Sequence, residues 1–125
     1  MRSKFSPSWK ASVQPRKQRK YVKNAPLHIA RRMLSAHLSK ELRQKYGRRN
    51  VQLRKGDKVK IVRGSMKGRT GSVESINLKL RKVIVSGAEM IRKDGTKVKI
   101  PIDASNLIIT ELNLNDKKRA EALKK

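Results

Sequence analysis

The feature that most constrains the fold is a pair of short strands around a glycine-rich basic loop, in residues 55–73 (KGDKVKIVRGSMKGRTGSV). Polar and apolar residues alternate from Asp57 to Ile61. Because successive side chains of a strand point to opposite faces, Val59 and Ile61 would face a core and the lysines between them would face solvent. The pattern therefore predicts a half-buried strand immediately before the loop.

A second strand is predicted to follow the loop. Its apolar positions, Val73 and Ile76, depart from strict alternation. An extra residue in one strand of an antiparallel pair shifts the pattern in this way. We therefore expect a β-bulge beside Gly71.

The loop itself combines cations with glycines. Glycine adopts positive φ without a Cβ clash, so the backbone can turn sharply and present N–H groups beside the cations. On charge alone, a solvated turn and a phosphate-binding loop both stay open as interpretations. The clustering of cations between glycines favours the second, and the candidate residues are Arg63, Gly64, Ser65, Lys67, Gly68 and Arg69.

Charge is the second strong signal. The chain has 34 basic and 9 acidic residues, for a net charge of +25. Such a charge exceeds what solubility needs and indicates a polyanionic partner, with nucleic acid as the first candidate. Residues 1–50 hold 15 basic residues and one acidic residue, Glu41. Further candidate RNA contacts in this part are Arg2, Lys4, Arg16, Lys17, Arg19, Lys20, Lys23, Arg31, Arg32, Arg48 and Arg49.

Composition also excludes several functions. Only 3% of residues are aromatic, which argues against base stacking and favours recognition of phosphates and shape. The chain has no Cys and two His, so we predict no disulfide, metal site or cofactor. It has no nucleotide-binding loop and no recognisable catalytic set, so we expect neither an enzyme nor a small-molecule substrate. No apolar run has the length of a membrane span, so we expect a cytosolic protein without membrane insertion.

The chain divides into four predicted segments. Residues 1–24 lack hydrophobic periodicity and are predicted to form an extended basic arm, disordered in isolation. Residues 25–50 are predicted to form two short helices. Pro26 and the apolar face of Leu27, Ala30, Met33 and Leu34 indicate the first helix, and Ser39 as cap and Gly47 as stop indicate the second. Residues 113–125 are predicted to form a short helical tail, solvated or lying close to RNA.

Residues 51–112 are predicted to fold as a small SH3-like barrel, so that the protein is mainly β. Five strands are expected, near residues 57–62, 70–77, 82–85, 97–102 and 106–110. Asp94-Gly95 indicates a two-residue hairpin turn before the fourth strand. The predicted core consists of Val59, Ile61, Val73, Ile76, Val83, Val85, Val98, Ile100, Leu107 and Ile109.

The glycine-rich stretch resembles the KOW motif, in which a Gly-Asp-x-Val-x-Val strand leads through a Gly-x-x-Lys-Gly loop into a Gly-x-Val strand. The residues in register are Gly56, Asp57, Val59, Ile61, Gly64, Lys67, Gly68, Gly71 and Val73. Residues 101–107 (PIDASNL) resemble the segment Pro-Ile-His-x-Ser-Asn-Val that closes this domain in one family of large-subunit ribosomal proteins, although Asp103 replaces the usual His. That family is numbered twenty-fourth in bacteria and twenty-sixth in eukaryotes. Residues 24–28 and 35–46 resemble the N-terminal extension of its archaeal and eukaryotic members.

This resemblance implies a structural constituent of the large ribosomal subunit in the cytoplasm. Its partners would be large-subunit rRNA and neighbouring ribosomal proteins. It further implies support of early subunit assembly, near the polypeptide exit region. Two alternatives stay open on the residues: a KOW-containing transcription elongation regulator, and a histone-like protein that compacts DNA.

Overall fold

The computed structural model describes residues 11–124, so the predicted contacts Arg2 and Lys4 lie outside the described residues. The described part is mainly β, as predicted. Its helices are α1 (Pro15–Asn24), α2 (Leu27–Met33), α3 (Lys40–Tyr46) and α4 (Lys117–Lys124), with a 3-10 turn at Ala104–Asn106. Its strands are β1 (Ser35–Leu38), β2 (Asn50–Gln52), β3 (Lys58–Ile61), β4 (Thr70–Asn77), β5 (Lys82–Ile91), β6 (Lys97–Ile102) and β7 (Leu107–Glu111).

The strands form one sheet in the order β2-β1-β7-β3-β4-β5-β6. Neighbouring strands are antiparallel except β1 and β7, which are parallel. A single hydrophobic cluster takes buried side chains from both ends of this sheet, including Leu38 of β1 and Ile102 of β6. The sheet must therefore curl around that cluster, which gives the predicted small barrel.

All five predicted strands are present. β4 and β6 have the predicted bounds, and β5 continues to Ile91, six residues beyond its predicted end. Seven of the ten predicted core residues are buried, namely Val59, Ile61, Val73, Val83, Val85, Leu107 and Ile109. Ile76 and Ile100 are partly buried against that core.

The sheet also has two strands that were not predicted, since it contains seven and five were expected. β1 comes from the segment expected to hold only helices, and β2 lies across the boundary between that segment and the predicted barrel. β1 is short and pairs with β7, a strand some 70 positions later in the chain, so no local pattern marks it. Ala36 and Leu38 of β1 are nevertheless at most 1% exposed. The sheet therefore begins before the predicted barrel boundary at Val51.

The helices α2 and α3 begin where the sequence predicts, and α3 also ends at the predicted stop. α2 starts directly after Pro26, and the Ser39 hydroxyl accepts a hydrogen bond from the Leu42 N–H at 3.5 Å at the start of α3. Gly47 ends α3 with φ +64°. One assignment is wrong: Leu27, expected on the packed face of the first helix, is 51% exposed.

The arm is not extended throughout, which corrects the prediction for its last ten residues. Pro15 starts α1, and the following run of Arg, Lys and Gln has high helix propensity. None of the α1 residues is buried. Hydrophobic periodicity reports burial rather than helix formation, which is why its absence led to the wrong prediction.

We expect amide exchange to separate α1 from the barrel in the free protein. α1 buries no residue and is short, so its amides should exchange rapidly without RNA. The amides of β1 should be protected about as well as those of β3, because Ala36 and Leu38 belong to the core. Equal protection of α1 and β3 in the absence of RNA would contradict this expectation.

The predicted position of the β-bulge needs correction. The register against β5 shifts between Val73 and Ser75, so the irregularity lies at Glu74 rather than beside Gly71. Gly71 is instead required because a Cβ there would collide with the Ser86 carbonyl oxygen.

No helix among residues 11–124 combines the length and apolarity needed to cross a membrane.

The β5–β6 turn is also longer than predicted. The Arg92 N–H donates to the Thr96 carbonyl oxygen at 2.8 Å, which leaves three residues in the loop. A two-residue type I′ turn requires positive φ at both of its central residues. Gly95 has φ +91°, but neither Lys93 nor Asp94 has positive φ. The Asp94 carboxylate accepts hydrogen bonds from the Thr96 hydroxyl and N–H, which lower its pKa.

Candidate nucleic-acid interface

The glycine-rich loop, residues 63–69, is closed by two hydrogen bonds at the end of β3. The Ile61 N–H donates to the Arg69 carbonyl oxygen, and the Gly68 N–H donates to the Ile61 carbonyl oxygen, both at 2.8 Å. Gly64 has φ +93° and Gly68 has φ +90°. The prediction that both glycines turn the chain through positive φ is therefore confirmed.

The backbone donors of the loop fall into two halves. In the second half, the Lys67 N–H donates to Gly64 at 3.2 Å and the Arg69 N–H donates to Met66 at 3.1 Å. Together with Gly68, these donors are therefore used within the loop. The N–H groups of residues 63–66 have no hydrogen-bond acceptor among residues 11–124. The first half of the loop therefore holds the backbone donors that an anion could take.

The loop cations differ in how firmly they are held. The Arg69 guanidinium donates to the Gly87 carbonyl oxygen at 3.0 Å, which fixes it against β5. Arg63 and Lys67 are exposed and form no ion pair with any residue of 11–124. Beside the loop, Lys82 pairs with Asp103 at 2.5 Å, so the residue that replaces the usual His neutralises a lysine.

The other predicted contacts lie on the N-terminal segment. α1 carries Arg16, Lys17, Arg19, Lys20 and Lys23, α2 ends with Arg31 and Arg32, and Arg48 and Arg49 follow α3. All of these except the half-buried Lys17 are exposed. The first acidic residue of the chain is Glu41, so the cations of α1 and α2 have no acidic neighbour in sequence. Arg48 donates to the Ala122 carbonyl oxygen at 2.5 Å and is thereby tied to α4.

Several of these residues line different cavities. Arg19 and Lys23 share a cavity with Lys79 and Arg81 of the β4–β5 turn. Arg31 lines a different one with Arg54 and Lys55, and Arg63 lines a third beside the loop. No residue lines more than one of the three cavities. The candidate contacts Arg19 and Lys23, Arg31, and Arg63 therefore lie at three different cavities.

Sequence reasoning missed a buried ion pair beneath the motif. The Arg119 guanidinium donates to both carboxylate oxygens of Asp57, at 2.6 and 2.7 Å. Asp57 is fully buried and Arg119 is 5% exposed. The same carboxylate accepts the N–H groups of Arg54 at 3.1 Å and Asn113 at 2.9 Å. Arg119 also donates to the Gln52 and Asn113 carbonyl oxygens at 3.0 and 2.9 Å.

This pair corrects the prediction of a solvated tail, because it docks α4 onto the barrel. Leu123, one turn after Arg119, is also buried. Asp116 caps the helix by accepting the Lys118 N–H at 3.0 Å, and it pairs with Arg54. The Arg54 hydrogen bond, followed by that of Lys118, lowers the pKa of Asp116. The spacing of Arg119 and Leu123 was the available signal, but Arg119 is hidden in a run of basic residues.

The fold and the loop define the class: a KOW-type barrel protein with a basic N-terminal extension. The sequence pattern of the family described as ribosomal proteins L26 of eukaryotes and L24 of archaea matches residues 12–125. The chain belongs to this family of ribosomal proteins.

Curated relatives agree with the family. The large ribosomal subunit protein uL24 of Methanosphaera stadtmanae is 47% identical over 112 residues, which cover 90% of this chain and 96% of the relative. The protein of the same name from Nanoarchaeum equitans is 48% identical over 122 residues, which cover 98% and 82%. That from Methanoculleus marisnigri is 49% identical over 112 residues, which cover 90% and 93%.

Membership confirms the resemblance seen in the sequence. The protein is a ribosomal protein, located in the ribosome and hence in the cytoplasm. Its family is structural rather than enzymatic.

Proposed function

We propose that the protein is a structural constituent of the large ribosomal subunit that binds rRNA through phosphate and shape contacts. The contacts would be the loop residues 63–69 and the cations of α1, of α2 and of the segment after α3. Neighbouring ribosomal proteins would complete its surroundings. The further implications of the family, early assembly and a position near the polypeptide exit region, belong to this proposal.

The observation that carries the proposal is the distribution of ion pairs. Within residues 11–124, ion pairs form at Arg54, Lys58, Lys82, Lys99 and Arg119, all in the barrel or α4. None of the exposed candidate contacts in this range is among them. Five acidic residues are thus neutralised by cations of the barrel and α4. The exposed cations of the loop and the N-terminal segment retain positive charge that nucleic-acid phosphates would neutralise.

The loop adds a directional element to this charge. Its first half offers backbone N–H groups without acceptors among the described residues, next to the exposed cations Arg63 and Lys67. Backbone N–H groups in such turns form concave anion sites. A phosphate would therefore meet fixed donors as well as mobile charges at this position.

Salt dependence tests the loop contacts. Each phosphate contact that is lost should reduce the slope of log affinity against log salt by a little under ~1. We expect Arg63→Ala combined with Lys67→Ala to reduce the slope for a large-subunit rRNA fragment by roughly 1 to 2. The measurement is a fluorescence-anisotropy titration of the labelled fragment at several salt concentrations.

The matched control is Lys58→Ala combined with Lys99→Ala, which removes the same charge. Those lysines already pair with Glu111 and Glu74 at 3.0 and 2.6 Å, so their loss should change the slope less. Equal slopes for the two double variants would return the loop to the interpretation of a solvated turn.

Sedimentation of a lysate tests the proposal as a whole. A tagged protein should migrate with large ribosomal subunits and should be released from them by high salt. Migration with RNA polymerase would favour the elongation regulator, and migration with chromosomal DNA would favour the compacting protein.

A further inference from the structure

A second cationic cleft lies between α1 and the β4–β5 turn, away from the glycine-rich loop. It has a volume of about 440 Å³ and is lined by Gln18, Arg19, Val22, Lys23, Lys79 and Arg81. Four of these six residues are cations and none is acidic. On sequence alone Lys79 had no feature that set it apart from a solvated surface lysine.

The charge of this cleft is uncompensated within the described part of the chain. Arg19, Lys23, Lys79 and Arg81 form no ion pair with any residue of 11–124. Like charges that converge on one space repel each other. An anion in the cleft would turn this repulsion into attraction and would hold α1 against the barrel.

The backbone of Arg81 supplies an independent observation. It has φ +55° and is the one non-glycine residue among 11–124 with positive φ. A side chain with a Cβ is disfavoured in that conformation, which glycine adopts freely. The turn is otherwise well made, since the Asn77 side chain accepts the Leu80 N–H at 3.1 Å. Arginine thus stands at a position where turn geometry favours glycine, so the geometry of the turn does not explain this residue.

We propose that this cleft binds a backbone phosphate of RNA and thereby seats α1 on the barrel. The proposal rests on the proposed function and extends it by a site that couples the N-terminal segment to the β4–β5 turn. Arg19 and Lys23 approach the phosphate from α1, and Lys79 and Arg81 approach it from the turn. The glycine-rich loop lines a different cavity, with which this cleft shares no residue.

Arg81→Gly separates binding from folding, because glycine suits the turn better than arginine does. We expect its thermal midpoint to equal or exceed that of the parent protein. Its affinity for a large-subunit rRNA fragment should fall, and its salt slope should decrease by about 1. Amide exchange of the full chain with that fragment should show less RNA-dependent protection of α1, with protection of residues 63–69 unchanged.

Lys93→Gln is the control, since it removes one exposed charge from the β5–β6 turn. It should leave the RNA-dependent protection of α1 as in the parent protein. Arg19→Gln tests the coupling: combined with Arg81→Gly, it should lower affinity by less than the product of the two separate losses, because both residues serve one phosphate.

The outcomes distinguish this site from the proposed function. A parent protein that fails to bind the fragment would overturn both. A parent that binds, together with an Arg81→Gly variant that protects α1 equally well, would overturn the cleft alone. Independent, multiplicative losses for Arg19→Gln and Arg81→Gly would also overturn it.

Discussion

Arg119→Ala is expected to lower the free energy of unfolding by about 3–5 kcal/mol, a large part of the total for a domain of this size. The variant leaves the Asp57 carboxylate fully buried without the guanidinium that donates to both of its oxygens. It also removes the donors to the Gln52 and Asn113 carbonyl oxygens. Chemical denaturation with linear extrapolation measures the loss.

Two controls show whether the loss comes from the stranded carboxylate. Lys118→Ala changes an exposed neighbour on α4 and should alter stability by no more than about 0.5 kcal/mol. Asp57→Asn combined with Arg119→Met removes both charges and should cost less than the two single variants together. A loss below about 1 kcal/mol for Arg119→Ala would mean that the pair behaves like an exposed salt bridge.

The docking of α4 explains the structural role of Asp57, the aspartate of the motif. Asp57 holds the backbone before β3 through the Arg54 N–H and the backbone after β7 through the Asn113 N–H. Arg119 adds α4 and the carbonyl oxygen of Gln52 in β2 to the same centre. One buried carboxylate thus joins the start of the glycine-rich hairpin to both flanking segments of the barrel.

Local patterns predicted the parts of the fold that local contacts decide. β4 and β6 were placed with the correct bounds because β6 alternates regularly and glycine-containing loops precede both strands. β1 was missed because its four residues gain their burial from β7, far away in sequence. The docking of α4 was not predicted because the burial of Arg119 depends on Asp57, 62 positions earlier.

The same limit applies to the candidate site. The positive φ of Gly64 and Gly68 followed from residue type and was predicted. The residue types did not predict which backbone N–H groups of the loop stay available for an anion. That depends on how the loop closes on Ile61. The cleft beside α1 depends on the placement of a helix that was predicted to be extended. Charge and glycine content therefore predicted a phosphate-binding loop. They predicted neither the backbone donors of that loop nor the cleft beside α1.

Gly68→Val should separate the shape of the glycine-rich loop from its charge. Gly68 has φ +90°, and a Cβ built on it meets no atom within 4 Å, so the substitution adds backbone strain without a clash. A β-branched residue in this conformation costs about 1–3 kcal/mol. The loop can relieve that strain by giving up the hydrogen bond from Gly68 to Ile61, which moves its donors away from their present positions.

If backbone donors bind the phosphate, the variant must return to the strained loop conformation when it binds RNA, and this lowers its affinity. The dissociation constant for the specific rRNA fragment should then rise about 5- to 150-fold. Binding of random RNA through the N-terminal cations should persist, since no charge has changed. Fluorescence anisotropy with both RNAs measures this difference, and circular dichroism shows whether the barrel stays folded.

Gly95→Val is the matched control for this comparison. Gly95 has φ +91° and equally open surroundings, but it lies in the β5–β6 turn. The substitution should therefore cost similar stability and leave the affinity for the rRNA fragment unchanged. If Gly68→Val also binds that fragment as tightly as the parent protein does, the backbone takes no part in binding. Arg63, Lys67 and Arg69 would then act through charge alone, and any turn that holds three cations at this place would serve equally well.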